Sequence, residues 1–334
     1  MDYRVLGRTG LRVSPLCLGA MMFGGRTEPE LGYAIIAKSI EQGINFIDTA
    51  NVYSRGLSEE VVGEGVQRHG GRDKLVIATK VNGTMDPSDP NAGGNSRRHI
   101  IQQCEASLRR LQTDWIDLYQ IHRPQSSVPI DETLRAMDDL VRSGKVRYVG
   151  TSTYAAWQIV ESFAVSEKWG LNRFVCEQPP YNLLDRRIER ELLPMAQTYG
   201  MAVIPWSPLG GGLLTGKYQR GAPLPEDARF SNPSPLQARR LNDRVYDRVE
   251  ELEPVAREKG CTMSQLALAW VMRQPGVTSP IIGPRTMEQF DDNLLAAGVT
   301  LTDDDLQRID TIALPGEAVA PFYEGDFGPH QYRI

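Results

Sequence analysis

Eight short apolar runs, separated by longer amphipathic or polar segments, recur along almost the whole chain. In order they are PLCLG, NFIDTA, LVIAT, WIDLYQI, VRYVGT, FVCEQ, AVIPW and SPIIG. Each has the length and the apolar, β-branched or aromatic content of a buried strand. Helical stripes lie between them, such as Ile100, Cys104 and Leu108 after the third run. Strands that alternate with helices predict an α/β protein with a parallel sheet.

Two architectures satisfy this alternation, and the positions of the glycines separate them. A doubly wound sheet that binds a dinucleotide carries G-x-G-x-x-G after its first strand. That pattern does not follow the first run here, and glycines 210–212 follow the seventh run without its spacing. We therefore predict one closed (β/α)₈ barrel, a TIM barrel, with residues 1–334 as a single domain. RVL and LRVS, on either side of residues 7–10, predict a short N-terminal β-hairpin.

Helix boundaries follow from capping residues and glycines. The first barrel helix is predicted near Glu28 to Gln42, ended by Gly43. Ser58, followed by two glutamates, is predicted to be the N-cap of the next helix. Two long segments, 83–98 and 220–241, are rich in turn-forming residues. They follow the third and seventh strands, and such long loops are usually functional. We expect the first to shape a substrate pocket and the second to fold over a cofactor.

Four polar residues stand at or just after the ends of successive strand-like runs. They are Asp48, Tyr53, Lys80 and His122. In a barrel of parallel strands, the carboxyl ends of the strands form the catalytic face. The sequence therefore predicts that an acid, a phenol, an amine and an imidazole meet there.

These residue types suit the reduction of a carbonyl group. No side chain donates hydride, so a cofactor must supply it, while the protein supplies the proton. A free phenol titrates near pH ~10, and a neighbouring ammonium group lowers that pKa toward neutrality. The predicted roles are Tyr53 as proton donor, Lys80 as the neighbouring cation, Asp48 as its anchor and His122 as the group that orients the substrate oxygen.

Each of the four also has an ordinary explanation when taken alone. Asp48 could cap the turn after its strand, and Tyr53 could be a half-buried aromatic. Lys80 could extend its amine to solvent, and His122 could be a structural histidine. The combination of all four is much more specific than any one of them.

Seven segments of the chain resemble the aldo-keto reductase family, in the order in which that family has them. They are FIDTANVYSRGLSEEVVGEGV, ATK, QIHRP, GKVRYVGTST, QPPYNLL, PWSPLGGGLLTGKY and IIGPRTMEQFDDNL. The resemblance implies that Asp48, Tyr53, Lys80 and His122 form the family's catalytic tetrad. It also implies that the N-terminal hairpin closes the bottom of the barrel.

The resemblance further implies an NADP(H) site. Trp206 would stack on the nicotinamide ring, and Ser152 and Gln178 would bind its carboxamide, next to Asp48. Thr153 stands where the family usually has Asn, and its hydroxyl lacks the second arm of an amide. Whether Thr153 contacts the carboxamide is left open.

The remaining cofactor contacts are predicted after the seventh and eighth strands, where barrels often bind phosphate. Backbone near Gly211 can approach a pyrophosphate, and Gly283 opens a segment that leads into a helix N-terminus. Arg285 is placed to bind a 2′-phosphate through paired N–H groups. The other predicted contacts in these segments are Ser207, Leu209, Lys217, Gln289 and Asn293.

Composition excludes several other classes of function. The net charge is −5 and no basic block stands out, so we expect no nucleic-acid partner. No run is long enough to span a membrane, and the start, MDYRVLGRTG, does not resemble a signal peptide. The four cysteines are too far apart for a disulfide framework or a metal site. We expect a cytoplasmic protein whose partner is a small carbonyl compound; its oligomeric state is left open.

Two other functions remain open from the sequence. One is a regulatory subunit of the same family, similar to those that bind potassium channels. The other is a Schiff-base lyase that uses Lys80 as a nucleophile; the nearby carboxylate of Asp48 argues against it, since such a lysine must be uncharged.

Overall fold

A curled sheet of eight parallel strands forms the centre of the molecule. The computed structural model describes residues 1–323; residues 324–334, which the single-domain prediction also covers, lie outside this part. The barrel strands are β3 (Cys17–Gly19), β4 (Phe46–Asp48), β5 (Val76–Val81), β6 (Ile116–Ile121), β7 (Val146–Ser152), β8 (Cys176–Gln178), β9 (Ala202–Val203) and β10 (Ile281–Ile282). They are hydrogen-bonded in the order β10-β3-β4-β5-β6-β7-β8-β9.

The two ends of this sheet meet. An isolated parallel bridge joins Val203 to Val277. The amide of Ile281 donates to the carbonyl of Pro205 at 2.9 Å, and the amide of Thr278 donates to the carbonyl of Val203 at 2.8 Å. These bonds connect β9 with the strand region that leads into β10, and the predicted (β/α)₈ barrel is confirmed.

Helices surround the barrel. They are α1 (Pro29–Glu41), α2 (Leu57–His69), α3 (Arg97–Arg110), α4 (Ile130–Arg142), α5 (Ala156–Trp169), α6 (Leu192–Tyr199), α7 (Pro235–Ala238), α8 (Asp243–Glu258), α9 (Met263–Arg273), α10 (Met287–Leu295) and α11 (Asp303–Ile312). The first helix agrees with its predicted bounds within one residue at each end. The sequence analysis predicted none of the helices α7, α8, α9 and α11, because at most one helix was expected after each strand.

The predicted role of Ser58 is wrong. The helix begins at Leu57, after Gly56 in a left-handed conformation (φ 99°). The hydroxyl of Ser58 lies inside the barrel wall, where it donates to the carbonyl of Ala20 and accepts from Thr49, both at 2.7 Å. It ties α2 to the ends of β3 and β4 instead of capping the helix.

The N-terminal hairpin consists of β1 (Arg4–Val5) and β2 (Arg12–Val13). Leu6 and Val13 are fully buried and pack with residues that point into the barrel, such as Phe46 and Val76 at the starts of their strands. The hairpin therefore closes the barrel at the end opposite the carboxyl ends of the strands, as the resemblance implied.

A larger apolar layer lies between the barrel and the helices, and it includes the fully buried Ile35, Ile100, Leu134 and Trp270. This layer holds the strands in register and fixes where their carboxyl ends lie. Among residues 1–323, no helix is both long and apolar enough to cross a membrane.

Candidate active site

A buried ion pair lies at the carboxyl ends of β4 and β5. Nζ of Lys80 is 2.6 Å from Oδ2 of Asp48 and donates to the carbonyl of Thr49 at 2.7 Å. The side chain of Lys80 is fully buried. Burial by itself lowers the pKa of Lys80, but the charge of Asp48 and the phenol of Tyr53 outweigh it, so that pKa is raised. Lys80 is therefore a fixed cation.

The phenol of Tyr53 lies next to this cation. Its hydroxyl is 3.4 Å from Nζ of Lys80, and the ammonium group is 5.0 Å from the centre of the phenol ring. Tyr53 opens a tight turn in which Ser54 and Arg55 have positive φ values of 48° and 56°. This strained turn joins β4 to α2 and aims the phenol back over the barrel.

His122 follows β6 directly, and its ring meets that of Tyr53 edge to face, with 5.6 Å between ring centres. Burial, and then the charges of Lys80 and Arg123, hold the pKa of His122 well below its ordinary value. The imidazole is therefore neutral at physiological pH, and a neutral ring has one N–H group to donate.

Two side-chain amides complete the surroundings of Asp48. Gln120 and Gln178 both donate to its Oδ1, at 3.2 Å and 2.9 Å, and Gln178 also donates to the amide oxygen of Gln120 at 3.3 Å. Sequence reasoning predicted Gln178 but missed Gln120. The available signal was a side-chain amide one residue before the end of the strand-like run WIDLYQI.

Ser152 ends β7 beside this network, and Thr153 follows it directly. The hydroxyl of Ser152 donates to the carbonyl of Gln178 at 2.8 Å, which leaves its lone pairs to accept. Thr153 has φ 59°, an unusual value for a β-branched residue. Its hydroxyl donates to the carbonyl of Ser152 at 2.7 Å and accepts from Arg123 at 3.3 Å. The Thr153 hydroxyl therefore already donates one hydrogen bond and accepts another.

The segment after β9 approaches the same opening. Trp206 packs against both apolar clusters of the barrel and lines the cavity described below. Ser207 has φ 53°, and glycines 210–212 all have positive φ. A Cβ atom on Gly212 would lie 3.0 Å from Nζ of Lys217. The left-handed backbone therefore favours glycine here, and any other residue would also displace the ammonium group of the lysine slightly.

The segment after β10 leads from Gly283 into α10. The amide of Arg285 donates to Oε1 of Gln289 at 2.9 Å, and its carbonyl accepts from Thr27. Thr286 caps the helix. Among the described residues, the guanidinium of Arg285 forms no ion pair, so its charge remains available.

Three cations lie close enough here to act on one another. Burial, and then the charges of Arg285 and Arg26, lower the pKa of Lys217. Among the described residues, none of these three cations is paired with a carboxylate. Their mutual repulsion favours a bound anion, because an anion would relieve it. Arg26, in the loop after β3, was not predicted.

Most of these side chains line one cavity of about 620 Å³. The predicted residues that line it are Asp48, Tyr53, His122, Ser152, Gln178, Trp206, Ser207, Leu209, Gly211, Lys217, Gly283, Arg285, Gln289 and Asn293. Lys80 lies immediately behind Asp48 and Tyr53 and is the one member of the predicted tetrad below the cavity surface.

Three further arginines line the cavity and escaped sequence reasoning: Arg123, Arg229 and Arg240. Arg123 could have been noticed, since it follows His122 directly in the motif QIHRP. The other two come from the segment 220–241, so that long loop contributes to the wall of the cavity; that it folds over a cofactor stays a prediction.

The expectation for the segment 83–98 is wrong. None of its residues is among those that line the cavity in the described structure. The segment instead packs beside the loop after β6. The side-chain amide of Asn95 donates to the carbonyl of Arg123 at 2.9 Å, and its backbone N–H donates to Oε1 of Gln125 at 2.7 Å. It supports the loop that carries Arg123.

A family model described as the Aldo/keto reductase family matches residues 15–314. A protein of Bacillus subtilis (strain 168) named uncharacterized oxidoreductase YrpG is 42% identical over 329 residues, which cover 95% of this chain and 97% of that protein.

Two plant proteins are also similar. A probable voltage-gated potassium channel subunit beta of Arabidopsis thaliana is 40% identical over 90% of this chain and 92% of its own length. A protein of the same description from Oryza sativa subsp. japonica is 38% identical over 93% of this chain and 96% of its own length.

Proposed function

The chain belongs to the aldo/keto reductase family of oxidoreductases, and from that premise we propose that it reduces an aldehyde or ketone with NADPH. The observation that carries this proposal is the buried ion pair with a phenol beside it. Lys80 contacts both the carboxylate of Asp48 and the hydroxyl of Tyr53, at 2.6 Å and 3.4 Å. Such an arrangement prepares a phenol to give up a proton.

Tyr53 donates that proton to the carbonyl oxygen of the substrate. The phenolate that it becomes is stabilised by the ammonium group of Lys80, which Asp48 holds in place. Neutral His122, edge to face with Tyr53, donates a hydrogen bond to the same oxygen and directs it toward the phenol.

The cavity residues fit a nicotinamide dinucleotide. When bound, the cofactor supplies the hydride for the carbonyl carbon, so the carbonyl is reduced and the nicotinamide is oxidised. Ser152 offers an acceptor, since its proton is committed to Gln178. Oε1 of Gln178 makes no hydrogen bond among the described residues, so it too can accept from the carboxamide NH₂. Trp206 provides the flat surface for the ring.

The other end of the cavity fits the phosphates of the cofactor. Lys217, Arg26 and Arg285 line it, and none of the three pairs with a carboxylate among the described residues. Gly211, in a left-handed conformation, lets the backbone approach a phosphate there. Gln289 and Asn293, on α10, lie on the adenosine side. The charge of this end supports NADPH over NADH, because only the phosphorylated cofactor adds an anion there.

The test is the consumption of NADPH by the purified protein with a panel of aldehydes and ketones. Turnover that Tyr53→Phe abolishes, with NADPH binding retained, would support the proposal. A wild-type protein that binds NADPH but reduces no member of the panel would overturn it.

The similarity to plant proteins named as channel subunits supports a second candidate, a regulatory subunit that binds NADPH. The same assay separates the two, since a purely regulatory subunit would bind the cofactor tightly without steady turnover. Co-expression with a potassium channel would then have to change the channel's current.

The Schiff-base alternative is disfavoured by the state of Lys80. A nucleophilic lysine must be uncharged, whereas the pKa of Lys80 is raised by its partners. Treatment with borohydride in the presence of a carbonyl compound should therefore leave Lys80 unmodified, as peptide mass analysis would show.

A further inference from the structure

Two arginines stand beside the proposed reaction centre, away from the phosphate end of the cavity. Arg123 follows His122 directly, and Arg240 comes from the segment 220–241. Each guanidinium rests on one of two adjacent aromatic rings. Arg240 lies 4.5 Å from the ring centre of Phe322, and Arg123 lies 5.1 Å from that of Tyr323.

Neutral groups hold both arginines in position. Arg240 donates to the carbonyls of Pro321 and Phe322 at 3.0 Å and 2.8 Å. Arg123 donates through Nη1 to the carbonyl of His122 at 2.8 Å and to the hydroxyl of Thr153 at 3.3 Å. These bonds fix the two guanidinium groups without neutralising their charge. Among the described residues, neither forms an ion pair with a carboxylate.

The nearest acidic residues do not compensate these charges. Asp185 is already paired with Arg187 at 2.8 Å. Burial raises the pKa of Glu177 to about 8, so that carboxyl group is mostly protonated at neutral pH. Burial, and then the charge of Arg229, lower the pKa of Arg240 and outweigh the opposing charge of Asp185. Among the described residues, the region around Tyr53 and His122 therefore carries excess positive charge.

The phosphates of a dinucleotide do not account for this excess. Lys217, Arg26 and Arg285 already form a separate group of cations that act on one another. Arg229 lies between the two groups, since its pKa is affected by Tyr53 and by Arg26. Arg123, which directly follows His122 in the chain, and Arg240 remain in the lining of the same cavity.

We propose that the carbonyl substrate carries a second, anionic group, a carboxylate or a phosphate, which Arg123 and Arg240 bind. This inference rests on the proposed reductase function. Arg123 keeps Nε and Nη2, and Arg240 keeps Nη1, free of hydrogen bonds among the described residues. Guanidinium N–H groups match the oxygens of carboxylates and phosphates, and a cleft of one sign of charge raises the local concentration of a ligand of opposite charge.

Three aldehydes of similar shape test the proposal: para-carboxybenzaldehyde, its neutral methyl ester and para-formylphenyl phosphate. We expect kcat/KM for the two anions to exceed that for the ester by about tenfold or more. Raising the ionic strength should reduce this advantage. Comparison of the carboxylate with the phosphate shows which anion the site prefers.

Arg123→Met and Arg240→Met should each lower the ratio of kcat/KM for anion to that for ester by about tenfold. Methionine keeps a long apolar stem against the aromatic ring. The control is Arg308→Met, whose guanidinium pairs with Glu258 on the surface between α8 and α11; it should leave the ratio unchanged. Equal kcat/KM for ester and anions in the wild type would overturn the proposal.

A second measurement keeps this proposal separate from the reductase function. Thermal stabilisation of the NADPH-bound protein by para-carboxybenzoate is expected for the wild type and should be lost in the Arg123→Met, Arg240→Met double variant. If no aldehyde is reduced but this stabilisation is seen, the reductase proposal fails and the anion site stands. If the ester is reduced and no stabilisation by the anion occurs, the anion site fails alone.

Discussion

The side-chain amide of Gln120 donates to Oδ1 of Asp48 at 3.2 Å across the barrel interior, although the two residues are 72 positions apart in the chain. Gln120 lies opposite Lys80 in the pairing of β5 with β6. Lys80 holds Oδ2 of the same carboxylate, and Gln178 donates to Oδ1 as well. The carboxylate is thus fixed from two sides, and Gln120 is a positioning residue for the ion pair behind Tyr53.

Gln120→Glu should therefore be more damaging than Gln120→Leu. Glutamate matches glutamine in size but places a carboxylate against Asp48, whereas leucine only removes one donor, at a cost of about 1–3 kcal/mol. We expect kcat to fall in both variants and further in Gln120→Glu, as steady-state kinetics would show. A role limited to filling space would give the opposite order, with the glutamate variant nearly normal.

Tyr53→Phe should remove the proton donor while leaving the fold and NADPH binding in place. General acid catalysis contributes roughly 10²–10⁴-fold, and we expect a loss of kcat toward the upper end of that range. Tyr33→Phe, on α1, is the control and should be fully active. NADPH binding, followed by fluorescence, must persist in Tyr53→Phe; near-normal turnover by this variant would contradict the assignment.

Lys80→Met should destabilise the protein by about 3–5 kcal/mol, because it leaves the buried carboxylate of Asp48 without a counter-ion. Asp48→Asn removes that charge. The double variant should therefore be more stable than the sum of the two single losses predicts, with a coupling of about 1–3 kcal/mol. Urea denaturation of the four proteins measures this cycle. Strict additivity would mean that the two groups do not interact as the 2.6 Å contact indicates.

Arg285→Ala should raise KM for NADPH by roughly 10–150-fold, the value of one or more hydrogen bonds to a charged phosphate. KM for NADH should change little, since that cofactor has no phosphate at the adenosine ribose. Arg273→Ala, which removes a surface arginine near Asp303, is the matched control. Equal effects on both cofactors, or a wild-type preference for NADH, would contradict the assigned role of Arg285.

Glu177 should make the protein less stable as the pH rises. Burial raises its pKa in the folded state from an ordinary 4.5 to about 8. Between these values the folded protein holds a proton that the unfolded chain has lost, so stability falls with rising pH by at most about 1.4 kcal/mol per unit. The loss is complete above the folded pKa.

Glu177→Gln should remove this slope, and unfolding free energies at pH 5, 7 and about 9 would show it. Glu64→Gln is the control. The hydrogen bond from Arg68 lowers the pKa of Glu64 below its ordinary value. Glu64 therefore changes the pH dependence of stability only at more acidic pH. Identical slopes for wild type and Glu177→Gln would show that Glu177 is ionised in the folded protein at neutral pH.

The sequence by itself determined the order of strands and the residues at their ends. Asp48, Lys80 and His122 could be placed on one face because parallel strands end on the same side of a barrel. The helix boundaries that depended on a local signal, such as Glu28 to Gln42, were also predictable, since capping and glycine act over a few residues. The prediction that Ser58 caps a helix was wrong because its hydroxyl bonds to Ala20 and Thr49, directly after β3 and β4. No local sequence pattern reveals such a contact.

Only the tertiary structure decided which polar groups lie within bonding distance of one another. Gln120 on β6 and Asp48 on β4 meet across the barrel interior because both strands pair with β5 in one register. A shift by one residue would turn Gln120 to the other face. Arg123 and Arg240 come from loops after different strands and are brought to the same cavity by contacts with Phe322 and Tyr323. Contacts between residues so far apart in the chain depend on the packing of the whole barrel, and so they cannot be deduced from spacing along the sequence.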